Sequence, residues 1–175
     1  RVQQSGAGLG QAQAAGFAKL GIRAVVDLRA QAAQQSSPAP SCVGKVATLV
    51  PAPLPKLLPD TPANYLALLD ETAAVKALFT ALGQAGSYPV YIHCVIGRDR
   101  ASVAVALVLL AAGAGRQAVI DEFNLSVKAG VAVKQPCIEA LIDEVDRRGG
   151  IETYLQGAGV TAARLKTLRA QLVTD

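Results

Sequence analysis

The stretch PVYIHCVIGRDRAS, residues 89–102, constrains this chain more than any other. Its first half reads as a short apolar strand over residues 89–93 that stops at His93-Cys94. The following run ASVAVALVLLAA, residues 101–112, carries no charge, so a helix there has to be buried on most of its sides. A strand that feeds through a tight glycine-containing loop into a buried helix is a building unit of α/β folds. The loop then lies at the C-terminal end of the strand, with the N-terminus of the helix directed at it.

The rest of the sequence fits around that unit. Residues 11–20 read as a short helix, and the β-branched run in IRAVVDLR predicts a strand over 22–28, with Asp27 at its end pairing near Arg29. QQSSPAPSC, residues 34–42, is rich in turn formers and predicts a surface loop. A second strand is expected over 45–50, closed by the proline-rich run PAPLPKLLPDTP, residues 51–62, which cannot be regular helix or central strand. Helical spacing marks 64–69 and 71–82, with Leu66, Leu68, Leu69, Val75, Leu78 and Phe79 inward and Asp70 as a cap before Glu71. Four more helices are expected over 116–128, 135–148, 151–156 and 161–172. The fold class is α/β, a small and mostly parallel central sheet flanked by helices, with a helical C-terminal half. A length of 175 residues suits one domain over 1–175.

Composition removes several function classes. Three cysteines and a single histidine form no zinc spacing, and Cys42 and Cys137 read as small core hydrophobes. No apolar run reaches the length of a transmembrane helix. The net charge of +4 favours anionic ligands, but without a dense basic block nucleic acid is not an expected partner.

The loop from His93 to Arg100 carries the chemistry. A strand-to-helix turn converges backbone N–H groups on one point, and the helix dipole adds positive potential there. Gly97 permits close backbone approach, and Arg100 supplies a planar fork able to hold two phosphate oxygens. Cys94, on the floor of this anion cradle, has its thiolate stabilised by the same groups. It can attack phosphorus to give a cysteinyl-phosphate, which water hydrolyses in a second step, with one group acting first as acid and then as base. No metal or cofactor is required. The order His, Cys, Gly, Arg across such a junction arises by chance in roughly one chain in a thousand or fewer. His93 reads as an orienting residue that hydrogen-bonds the loop.

HCVIGRDR resembles the HCxxGxxR loop of the protein tyrosine phosphatase superfamily, and most closely the HCxxGKDR form of bacterial tyrosine and dual-specificity phosphatases. GIRAVVDLR is similar to that group's early GIxxVxDLR strand, and IETYLQGAGVTAARLKTLRAQLV to its C-terminal helices. The resemblance implies a phosphatase-like fold, Cys94 as nucleophile, Arg100 as phosphate clamp, and Val95, Ile96, Gly97, Arg98 and Asp99 as donors of backbone N–H groups. It implies action on phosphotyrosine, with phosphoserine, phosphothreonine and phosphoinositides as further classes, the last motivated by the added cation Arg98 in the place of the subgroup's lysine. Asp99 matches an aspartate considered there as general acid, and Asp60 resembles the acid on a mobile loop. Each has a plainer alternative: Asp60 as cap of the helix beginning near Pro62, and Asp99 as a loop carboxylate paired with Arg98. Where the family usually carries Thr or Ser after the arginine, whose hydroxyl helps the thiolate leave, this chain has Ala101. Ser102 is turned by about 100° around the helix.

Two other functions compete. Ala101 motivates a phosphate-binding module with weak or lost turnover. A rhodanese-like sulfur transferase also uses a cysteine loop, but the His-Cys pair and the spacing from Cys94 to Arg100 argue against it. A catalytic thiolate suits a reducing, cytoplasmic compartment, while the missing initiator Met is compatible with export to the periplasm or beyond.

Overall fold

A computed structural model describes residues 11–56, 60–128, 130 and 132–172. Its centre is a three-stranded sheet of β1 (Ala24–Asp27), β2 (Thr48–Pro51) and β3 (Val90–His93), ordered β2-β1-β3, with both pairings parallel. The register sets Asp27 beside His93 on one side and Pro51 on the other, so the strands end together. Side chains alternate across the sheet, and both faces are covered. Val25 and Tyr91 point into a small cluster with Phe17 and Val43, whereas Val26 points into the main core. That core takes in Leu78, Leu107, Ile138 and Leu168 from four helices.

Ten helices surround the sheet among the described residues: α1 (Gln11–Lys19), α2 (Gln31–Ser36), α3 (Ser41–Gly44), α4 (Pro62–Ala67), α5 (Thr72–Leu82), α6 (Asp99–Ala111), α7 (Arg116–Lys128), α8 (Gln135–Arg147), α9 (Gly150–Gly157) and α10 (Ala162–Leu172). The charge-free run is α6, buried from Ala101 through Ala104 and again at Ala106, Leu107, Val108 and Ala111. No helix among the described residues is long and apolar enough to cross a membrane.

Several expectations shift, each for a local reason. The first strand starts at Ala24 because Ile22 still closes the end of α1. Its N–H donates to the Phe17 carbonyl at 2.9 Å across Gly21, whose φ of 65° suits that helix stop. The second begins at Thr48 because the N–H groups of Val46 and Ala47 bond back to Val43 below α3. It runs on to Pro51, whose missing N–H is tolerated on an edge strand. The predicted loop over 34–42 is a loop only between α2 and α3. The Gln34 amide donates to the carbonyls of Asp27 and Arg29, seating α2 against the end of β1. Asp70 is not a cap: it closes a 3-10 turn (Leu68–Asp70), pairs with Arg148 at 2.9 Å, and Glu71 caps α5 without a side-chain bond. Leu66 is half-buried, and Tyr65 takes the inward position. Of the predicted loop over 51–62, residues 57–59 lie outside the described residues.

Candidate active site

β3 delivers His93 to the C-terminal edge of the sheet, and the chain then bends through residues 95–98 before α6 begins at Asp99. Gly97 makes this turn with a φ of 71°, a conformation costly for any side chain. The N–H groups from Val95 to Arg100 bond to no carbonyl or side chain among the described residues. Cys94, only 3% exposed, lies at the start of this row of free donors, and Val95 and Ile96 next to it are exposed. Arg100 is buried at 8% exposure, and no carboxylate among the described residues pairs with it. A guanidinium at the mouth of a helix N-terminus, with no carboxylate to neutralise it, leaves positive potential at this end of the loop.

His93 supports the loop from beneath. Its Nδ1 lies 3.0 Å from the Cys94 carbonyl and donates to it, since a carbonyl can only accept. Nε2 is buried without a hydrogen-bond partner, 3.8 Å from Asp27 Oδ1. Burial lowers the His93 pKa below its ordinary value, while Asp27 and the bond to the Cys94 carbonyl pull it upward. Asp27 is itself gripped by the Arg29 guanidinium at 2.7 Å, the pairing expected from the sequence. Tyr91 stacks on the imidazole with ring centroids 5.6 Å apart.

The two candidate acids meet at one cation. Arg98 donates from Nε to Asp99 Oδ1 at 2.9 Å, and from Nη2 to Asp99 Oδ2 at 3.1 Å and Asp60 Oδ1 at 2.7 Å. Asp99 Oδ1 also accepts from the Tyr65 hydroxyl at 2.9 Å. Both Asp99 oxygens are therefore engaged, whereas Asp60 Oδ2 has no donor among the described residues. Asp60 is not the helix cap, because Thr61 Oγ1 accepts from the Asn64 N–H and Pro62 opens α4. Lys134 Nζ holds the Asp60 carbonyl at 3.1 Å. Cys137, buried on α8, has its thiol pKa raised by burial first and then by the charge of Asp60.

Tyr65 and Lys134 are the site residues that sequence reasoning missed. Tyr65 shares a helical face with Leu68 and Leu69 and so looks like core. Its signal was the hydroxyl, which a buried tyrosine has to place on a partner. Behind the loop, Ala101 is buried, and the Ser102 hydroxyl donates to the Arg98 carbonyl one turn back, so it is committed to the helix backbone.

Cys94, Asp99 and Arg100 thus lie in one loop and helix start at the C-terminal edge of the sheet, with His93 bonded to the Cys94 carbonyl and Asp60 tied in through Arg98. No curated protein matches the chain. The family model described as the tyrosine phosphatase family matches residues 4–174, so the chain belongs to the tyrosine phosphatase family.

Proposed function

We propose that the chain, as a single domain, hydrolyses phosphomonoesters through a cysteinyl-phosphate on Cys94. The observation that carries this reading is Arg100, buried and without a carboxylate partner among the described residues, at the end of a row of N–H groups that bond to none of those residues and that starts at a buried cysteine. Arg100 and the N–H groups from Val95 to Asp99 hold the phosphoryl oxygens. The Cys94 thiolate forms the S–P bond as the P–O bond to the leaving group breaks, and a carboxylic acid gives its proton to the departing oxygen. The same carboxylate then takes a proton from water, whose oxygen bonds phosphorus as the S–P bond breaks and the thiolate returns. His93 keeps the loop in place.

Asp60 is the better supported acid, because Oδ2 has no donor among the described residues whereas Asp99 has both oxygens occupied. Phosphotyrosine is the leading substrate, with phosphoserine and phosphothreonine in reach as for a dual-specificity enzyme of the HCxxGKDR type. Arg98, which motivated phosphoinositides, is shared between two carboxylates, and this favours protein monoesters over multiply phosphorylated rings. The thiolate chemistry fits a reducing compartment such as the cytoplasm.

Vanadate or a thiol alkylator should abolish hydrolysis of a phosphotyrosine peptide, and a chelator should leave it intact. Chelator-sensitive hydrolysis that survives Cys94→Ser would overturn the reading. A second reading, capture of phosphate with slow release, is favoured by Ala101 and by the commitment of the Ser102 hydroxyl.

A further inference from the structure

We propose that Tyr65 is a positioning residue for the acid step, its hydroxyl acting through Asp99 and Arg98 to hold the Asp60 carboxylate where the leaving oxygen is protonated. This rests on Asp60 as the acid. A single guanidinium nitrogen, Arg98 Nη2, touches both Asp60 and Asp99, so Asp60 stands wherever Arg98 puts that nitrogen. Arg98 is a long, rotatable side chain, and the fork it makes with Asp99 decides its direction. Asp99 in turn is stopped from rotating because the Tyr65 hydroxyl pins Oδ1 from another helix.

Tyr65 suits this task. It is 1% exposed, and its ring packs edge-on against Phe123 with centroids 6.4 Å apart, so the hydroxyl has little freedom. Burial first, and the Asp99 carboxylate second, push its pKa far above the ordinary value, so it stays a donor at every working pH and moves no proton itself. The remaining tie on Asp60 among the described residues, from Lys134, holds the carbonyl and not the carboxylate. Without the hydroxyl, Asp99 can rotate, Arg98 can follow, and Asp60 loses its anchor.

The test uses Tyr65→Phe, which keeps the ring and its packing. The readout is kcat/KM for phenyl phosphate, a poor leaving group, and p-nitrophenyl phosphate, a good one. This constant reports the steps up to S–P bond formation, and only the poor leaving group depends strongly on the acid. Relative to wild type, Tyr65→Phe should lower the phenyl constant about tenfold and the p-nitrophenyl constant by less than about threefold. Asp60→Asn should show the same selectivity at about a hundredfold or more, and adding Tyr65→Phe to it should change the ratio no further. Equal losses on both substrates in Tyr65→Phe would mean a merely structural role and overturn the proposal. If Asp60→Asn is selective and Tyr65→Phe is not, the acid assignment stands and the Tyr65 proposal falls. If Asp60→Asn is not selective, both fall.

Discussion

Replacing Ala101 by serine should accelerate the second chemical step and leave the first almost untouched. Ala101 is the third residue of α6, buried in the same cluster as Cys94, and the hydroxyl of the next residue, Ser102, is spent on the Arg98 carbonyl. The Ser102 hydroxyl is therefore not free to donate to the thiolate as it leaves phosphorus. A hydrogen bond to a charged acceptor contributes about 1.5–3 kcal/mol, which corresponds to about 10- to 150-fold in rate. A serine at 101 can also bond back to the helix backbone, as Ser102 does, so the lower end, about tenfold, is expected. Rapid-quench kinetics with p-nitrophenyl phosphate separate the steps. Wild type should release a stoichiometric burst of nitrophenol followed by a slow steady state. Ala101→Ser should raise kcat about tenfold, shrink the burst, and leave kcat/KM within about twofold. A wild type without a burst, or a variant in which kcat and kcat/KM rise together, would refute the argument.

Acid should weaken the fold through His93. Its pKa is lowered in the folded chain, chiefly by burial, so its contribution is complete above the unfolded value of 6.5 and is lost as pH falls through the depressed folded value. The stability difference between wild type and His93→Asn, followed by denaturant titration, should therefore shrink on acidification below 6.5; a difference that grows contradicts this. Gly83→Ala should destabilise where α5 meets α10, because an added Cβ would lie 2.6 Å from Arg164 Cβ and 2.9 Å from its Cα. Overpacking of that kind costs about 1–3 kcal/mol, or about 2–12 °C in Tm for a chain of this size, and an unchanged melting curve would show that the helices part freely.

The candidate loop was legible because everything that makes it is local. Strand, turn glycine, arginine and buried helix follow one another within one short stretch, and the structure keeps that order from Val90 to Ala111. Helices α7 to α10 were equally readable, since glycines punctuate them. The short helices α2 and α3 were not, because side-chain bonds and strand ends place them where composition reads as loop. The capping of α4 could have been read from Thr61-Pro62, a hydroxyl before a helix-opening proline, which frees Asp60 from that duty. What no local pattern reveals is charge bookkeeping across the fold. The pairing of Arg98 with Asp99 is a local option in the sequence, but Asp60 also arrives from the proline-rich run to share Arg98, and Tyr65 and Lys134 reach the same cluster from α4 and the approach to α8. Arg100, read from its place in the loop as the phosphate clamp, is the one of the two without a carboxylate partner among the described residues.

The central claim is that phosphate passes through Cys94. Wild type mixed with a phosphorylated aryl substrate and quenched in acid within the burst phase should carry one phosphoryl group, mapped by mass spectrometry of its peptides to Cys94 and absent from Cys42 and Cys137. Cys94→Ser should bind the substrate and release no phosphate. A phosphoryl group found on another residue, or turnover that persists in Cys94→Ser, would contradict the account.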